Sequence, residues 1–108
     1  MNTMVSYLYR DASNFKVFNF AVIEGELSTE DQNTILSSLS EDEYFIPRQV
    51  GLPEKRFESW TEDDHAWFEL EPGFATPCDW APTVSLTCSQ LVANFVAAKD
   101  HWDDSFAS

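Results

Sequence analysis

The 108 residues include only two cysteines, three glycines and six lysines and arginines. Each scarcity excludes something. Two cysteines, Cys78 and Cys88, cannot make the disulfide framework of a small secreted scaffold; they read as free structural thiols, with Cys88 near a helix start open to mild activation. No glycine-rich loop is present to cradle phosphates. Six cations against nineteen Asp and Glu give a net charge of -13. Nucleic acid is bound by neutralising phosphates with Lys and Arg, so direct DNA or RNA binding is excluded, and anionic lipid would repel the chain as well. No run approaches the ~18 apolar residues of a membrane span. The opening Met1-Asn2-Thr3-Met4-Val5-Ser6-Tyr7 lacks a basic n-region and an apolar h-region, so a cytoplasmic protein without a secretory signal is expected.

What is plentiful is apolar and acidic at once. The chain is 44% hydrophobic and 15% aromatic, which separates it from acidic disordered tails, whose aromatic content is low. Its length suits a single domain covering residues 1–108, with residues 102–108 as a frayed tail.

Alternation in residues 4–9 predicts a strand, and Arg10-Asp11-Ala12-Ser13-Asn14 a turn. Residues 15–27 predict a second strand, with Phe18, Phe20 and Val22 on one side and Val17, Ala21 and Ile23 on the other. Two apolar faces predict that this strand is central, in an antiparallel hairpin with the first. Ser28-Thr29-Glu30-Asp31 reads as a helix N-cap, with Ile35, Leu36 and Leu39 inward and an end near Ser40. A strand-like patch Tyr44-Phe45-Ile46 stops at Pro47; residues 47–64 read as irregular, 66–70 as a strand and 71–82 as a proline-bearing loop. Thr87, with Gln90 three residues on, caps a helix through residue 102, its stripe formed by Leu91, Phe95, Ala98 and Trp102. The order β-β-α-β-β-α predicts an α+β fold: a small antiparallel sheet with two helices on one face.

The carboxylates cluster at element ends: Glu24, Glu26, Glu30 and Asp31; Glu41, Asp42 and Glu43; Glu62, Asp63 and Asp64; and Asp100, Asp103 and Asp104. If Glu24 and Glu26 share a strand, they stand ~7 Å apart on one side. Duplex DNA presents one charge per ~1.7 Å of axis, so a row of such clusters on one face would imitate it; an evenly acidic surface serving solubility is the plainer reading. Residues 48–56 hold three of the six cations, Arg48, Lys55 and Arg56, which could fork onto a small anionic ligand or pair with neighbouring carboxylates. Trp80, between prolines, is the tryptophan most suited to an exposed anchor, with Trp60 beside it as a candidate; the other tryptophans fit the core.

Glu62-Asp63-Asp64-His65 lacks the alternation and glycine of a calcium loop, and His65, Cys78, Cys88 and His101 are not spaced as a zinc set, so no metal or cofactor is expected. No nucleophile–base pattern stands out, and a non-enzymatic role is expected. In size, acidity and want of catalytic machinery the chain resembles the small inhibitors carried by phages and mobile elements, anti-CRISPR and anti-restriction proteins among them, some of which are DNA mimics. The stretch Glu43-Tyr44-Phe45-Ile46-Pro47 through Gln49-Val50-Gly51-Leu52-Pro53 is similar to small bacterial and mobile-element proteins. The resemblance is one of composition and transfers no residue role. It implies a partner with a basic, nucleic-acid-binding surface; the acidic clusters themselves make Glu24, Glu26, Glu30, Asp31, Glu41, Asp42, Glu43, Glu62, Asp63 and Asp64, with Trp60 or Trp80 as anchors, the residues expected to meet it. The alternative is a binder of a nucleotide signal or metabolite through Arg48, Lys55 and Arg56.

Overall fold

The computed structural model describes residues 1–11, 13–55 and 65–103. The chain runs β1 (Asn2–Arg10), β2 (Lys16–Ile23), α1 (Thr29–Ser37), β3 (Tyr44–Phe45), α2 (Pro47–Val50), β4 (Phe68–Glu69), β5 (Ala75–Cys78) and α3 (Cys88–Ala98). This is the expected α+β architecture: a small antiparallel sheet with helices packed on one face. Two elements are additional, the single turn α2 and the strand β5.

β1 and β2 form the expected hairpin, with Leu8 opposite Phe18 and Ser6 opposite Phe20. The centre of the sheet, however, is β1. The order is β2-β1-β4-β3, and β5 also pairs with β1, on the edge away from β2. β2 is therefore an edge strand, contrary to its two-sided apolar pattern. Its inward side chains Asn19, Ala21 and Ile23 are buried, while Phe18 and Phe20 are 78% and 55% exposed. On the second apolar side of β2, Phe18 and Phe20 thus face outward, while Val22 at its far end is buried.

β5 occupies the stretch expected to be a loop because of its prolines. Ser6 N–H donates to the Phe74 carbonyl, and Met4 and Asn2 stand opposite Thr76 and Cys78. Alternation then places Pro77, opposite Thr3, at a position whose backbone nitrogen points away from β1. A proline is tolerated there because the ladder asks no N–H of it.

The helices are where local chemistry puts them. Ser28 accepts from Asp31 N–H while the Asp31 carboxylate accepts from Ser28 N–H, and Thr87 and Gln90 make the same reciprocal pair for α3. α1 and α2 each pack on α3. Together they cover the β1 face carrying Val5, Tyr7 and Tyr9, with Ile35, Phe45, Phe68, Leu91 and Phe95 in the same core. α3 stops at Ala98, not at residue 102, because Lys99 turns to an extended ψ of 129° and Asp100 follows with a left-handed φ of 63°. Trp102 is nevertheless held, its ring set against Phe45 and Phe95; the tail does not fray at that residue.

Candidate functional site

Most of the described acidic clusters gather at the two ends of α1. Cys88 N–H donates to the Glu24 carbonyl just beyond β2, and Gly25 at φ 100° turns the chain toward Glu26. That turn corrects the expectation of two neighbours on one strand. β2 ends at Ile23, so Glu24 and Glu26 leave the sheet on a bend instead of standing in a row. Glu30 and Asp31 occupy the first turn of α1, where carboxylates favour the positive end of the helix. A polar cavity of about 470 Å³ lies here, bordered by Thr3, Glu26, Ser28 and Asp31.

Trp80 belongs to this end of the molecule. The Asn2 side chain bridges the two stretches: its Nδ2 donates to the Trp80 carbonyl at 2.9 Å and its Oδ1 accepts from Gly25 N–H at 3.3 Å. Trp80 is 58% exposed. The backbone of this exposed tryptophan is thus tied to the Glu24 and Glu26 turn.

At the other end of α1, Ser40 and Tyr44 exchange both backbone hydrogen bonds around a tight turn, and Glu43 N–H also returns to the Ser40 carbonyl. Glu41 and Asp42 have φ of 52° and 61°. These are values that glycine and asparagine fill readily and a longer side chain fills at a cost. Tyr44 pairs with Glu69 across β3 and β4, and its ring meets Trp67 edge-on at 6.3 Å. A cavity of about 290 Å³ opens between Ser40, Glu41, Tyr44, His65 and Trp67. The carboxylate of Glu43, then partial burial, then Glu69 and Glu41, push the Tyr44 hydroxyl above its ordinary pKa. Tyr44 therefore sits in a field of uniformly negative sign. Nine residues of α1 separate the two ends, about 13 Å of helix.

Glu69 differs from the other carboxylates. It is buried and binds Arg10 Nε at 3.0 Å. Among the described residues, no lysine or arginine stands within ion-pair distance of Glu24, Glu26, Glu30, Asp31, Glu41, Asp42 or Glu43.

The basic stretch is arranged differently. Arg48 lies in α2; its guanidinium donates to the Asp103 carbonyl at 3.0 Å and its backbone N–H to Glu54 at 3.0 Å. Lys55 is exposed, and its backbone N–H and carbonyl are both taken by the buried Asn19 side chain. Neither residue borders the cavities described above. Arg56, Trp60, Glu62, Asp63 and Asp64 lie outside the described residues.

Cys88 is the opposite of an activated thiol. It is buried with Sγ 3.6 Å from Thr3 Oγ1, and burial pushes its pKa up. Among the described residues, no three His, Cys, Asp or Glu side chains come together as a metal site, and no helix is long and apolar enough to cross a membrane. The arrangement of Glu41, Tyr44, Trp67 and Glu69 is not legible in the sequence because it joins a turn, two strands and the stretch before β4. A charge inside the apolar run Ala66-Trp67-Phe68-Glu69-Leu70 was the one signal that could have exposed it. Compared with protein-family models, curated proteins and solved structures, the chain shows no match.

Proposed function

We propose that this protein is a non-enzymatic binding protein whose carboxylates occupy a basic, nucleic-acid-binding surface on another protein and block it. The observation that supports this reading is the set of uncompensated carboxylates at both ends of α1, without a described lysine or arginine to neutralise them. Exposed carboxylates held apart on a folded frame cost the fold self-repulsion, and a cationic partner relieves it. Trp80, exposed beside Glu24 and Glu26, supplies an apolar contact of the kind that anchors an interface.

The test is competition. DNA-binding proteins with basic clefts are titrated with this protein in the presence of labelled duplex DNA, at several salt concentrations. Displacement of the DNA is expected, weakening as salt rises, because ion-pair attraction over about 10 Å is screened at 0.1 M salt. The variant E41Q/D42N/E43Q is expected to displace less. Displacement that ignores both salt and neutralisation would sink the reading.

A further inference from the structure

The helices cover one face of the sheet; the other face carries a groove. Along its floor run Met4 and Leu8 of β1, with Phe18 and Phe20 of β2 as one wall and Glu71 and Pro72 as the other, enclosing a cavity of about 370 Å³. The Leu8–Phe18 and Ser6–Phe20 pairs stand directly opposite in the hairpin, so the aromatic wall is fixed by backbone register. Two large, mostly exposed aromatics on a chain of this size mark a contact surface, because scattered apolar side chains do not line up along a groove. We propose that this groove docks an amphipathic helix from a partner protein, apolar on one side and basic along its flank.

The dimensions select a helix. The two walls stand on either side of β1, two strand spacings apart, which is about 10 Å. An α-helix with side chains is about 10–12 Å across, whereas one extended strand fills about half that width. From Met4 to Leu8 the floor is about 14 Å long, equal to about nine residues of helix. Adding a strand to the free edge of β2 is a poorer fit. At Val22 that edge is already closed, since Val22 N–H donates to Thr83 Oγ1 and Thr83 N–H to the Val22 carbonyl. Only a few residues of edge remain before Lys16.

Charge selects the flank. Arg10 is tied to Glu69, and Lys16 stands opposite Arg10 at the Leu8 end of the same face, so the exposed Glu71 on the other wall is the acidic residue that a basic flank meets on the groove's rim. Around it lies a chain of net charge -13, which attracts a basic helix from a distance and disfavours a second copy of itself. This inference stands apart from the carboxylate clusters at α1, and it can hold if that reading fails.

The probe is a synthetic peptide of about 16 residues, long enough to hold helix, with leucines on one face and lysines on the other. Fluorescence anisotropy is expected to show saturable binding, with helix gained by circular dichroism. F18S/F20S, which keeps every charge, is expected to bind about tenfold more weakly or worse at an unchanged melting temperature. Because that variant alters a strand, E71K provides a second reading from a loop and is also expected to weaken binding. E41Q/D42N/E43Q, at the far cluster, is expected to leave the ratio of wild type to F18S/F20S unchanged. Equal binding by wild type and F18S/F20S would overturn the proposal, since charge alone then explains capture. Equal binding of a proline-interrupted peptide of the same composition would overturn it too, as would a dimer dissolved by F18S/F20S, which would make a second copy the occupant.

Discussion

The indole N–H of Trp102 donates to the carbonyl of Ser38 at 3.1 Å. This bond joins the stretch beyond α3 to the C-cap of α1 across 64 residues of sequence. W102F keeps much of the ring packing but leaves that carbonyl without its donor, and a loss of about 1 kcal/mol is expected. W102A also removes the contacts with Phe45 and Phe95 and is expected to cost more. Urea unfolding of the two variants measures the difference.

The turn at Glu41 and Asp42 holds two non-glycine residues in the left-handed region. D42G is therefore expected to stabilise the fold by about 1 kcal/mol, raising the melting temperature by about 4 °C. An unchanged or lower melting temperature would mean that the Asp42 side chain contributes more than its backbone costs.

Asp11 is buried at the β1–β2 turn, where its Oδ1 accepts from Ser13 N–H at 3.0 Å and Phe15 N–H at 2.9 Å. D11A leaves both donors without this acceptor. A loss of about 1–3 kcal/mol is expected, with D11N intermediate because an amide oxygen can still accept. Thermal melts of the three proteins rank them.

The two thiols should separate by reactivity. Cys78 is half-buried on the edge strand β5, while Cys88 is buried and its pKa is raised. A thiol-reactive disulfide reagent is expected to label Cys78 first and Cys88 only as fast as the fold opens. Equal labelling rates in native buffer would contradict the burial.

Alkaline pH should weaken the fold. Burial, and secondarily Glu54, push the Tyr7 hydroxyl well above its ordinary 10.0; burial pushes Cys88 above 9.0. Both groups are neutral when protonated, so between the unfolded and folded pKa the native state holds protons that the unfolded chain releases. Their contribution is complete below the unfolded values and is lost as pH rises through the folded ones. Stability is expected to hold between about pH 7 and 8 and to fall above about pH 9. Y7F, which keeps the ring but drops the hydroxyl bond to the Pro53 carbonyl, should flatten that fall. A slope identical to wild type would remove Tyr7 from the account.

What the sequence made legible was local. The pairs Ser28–Asp31 and Thr87–Gln90 announce their helices because each cap is complete within four residues. Phe18 and Phe20 misplaced β2 at the centre of the sheet. Alternation reports that a face is apolar, not whether a layer of the same chain covers it. Pro77 concealed β5, since a proline's compatibility with a strand depends on which way its nitrogen faces, and that is set by β1 more than seventy residues earlier. The gathering of Trp80 with Glu24 and Glu26 rests on Asn2, whose part no spacing rule could reveal.

β1 is paired on one side by β2, directly after it, and on the other by β4 and β5, as far on as Cys78. The hairpin closes a loop of only a few residues, whereas the other edge requires most of the polypeptide, an ordering entropy that grows with the intervening length. At the ~5–20 residues per second of protein synthesis, β1 stays open on that edge for roughly 3–14 s after it is made. β1, made before the other described strands, is thus among the last of them to be completed.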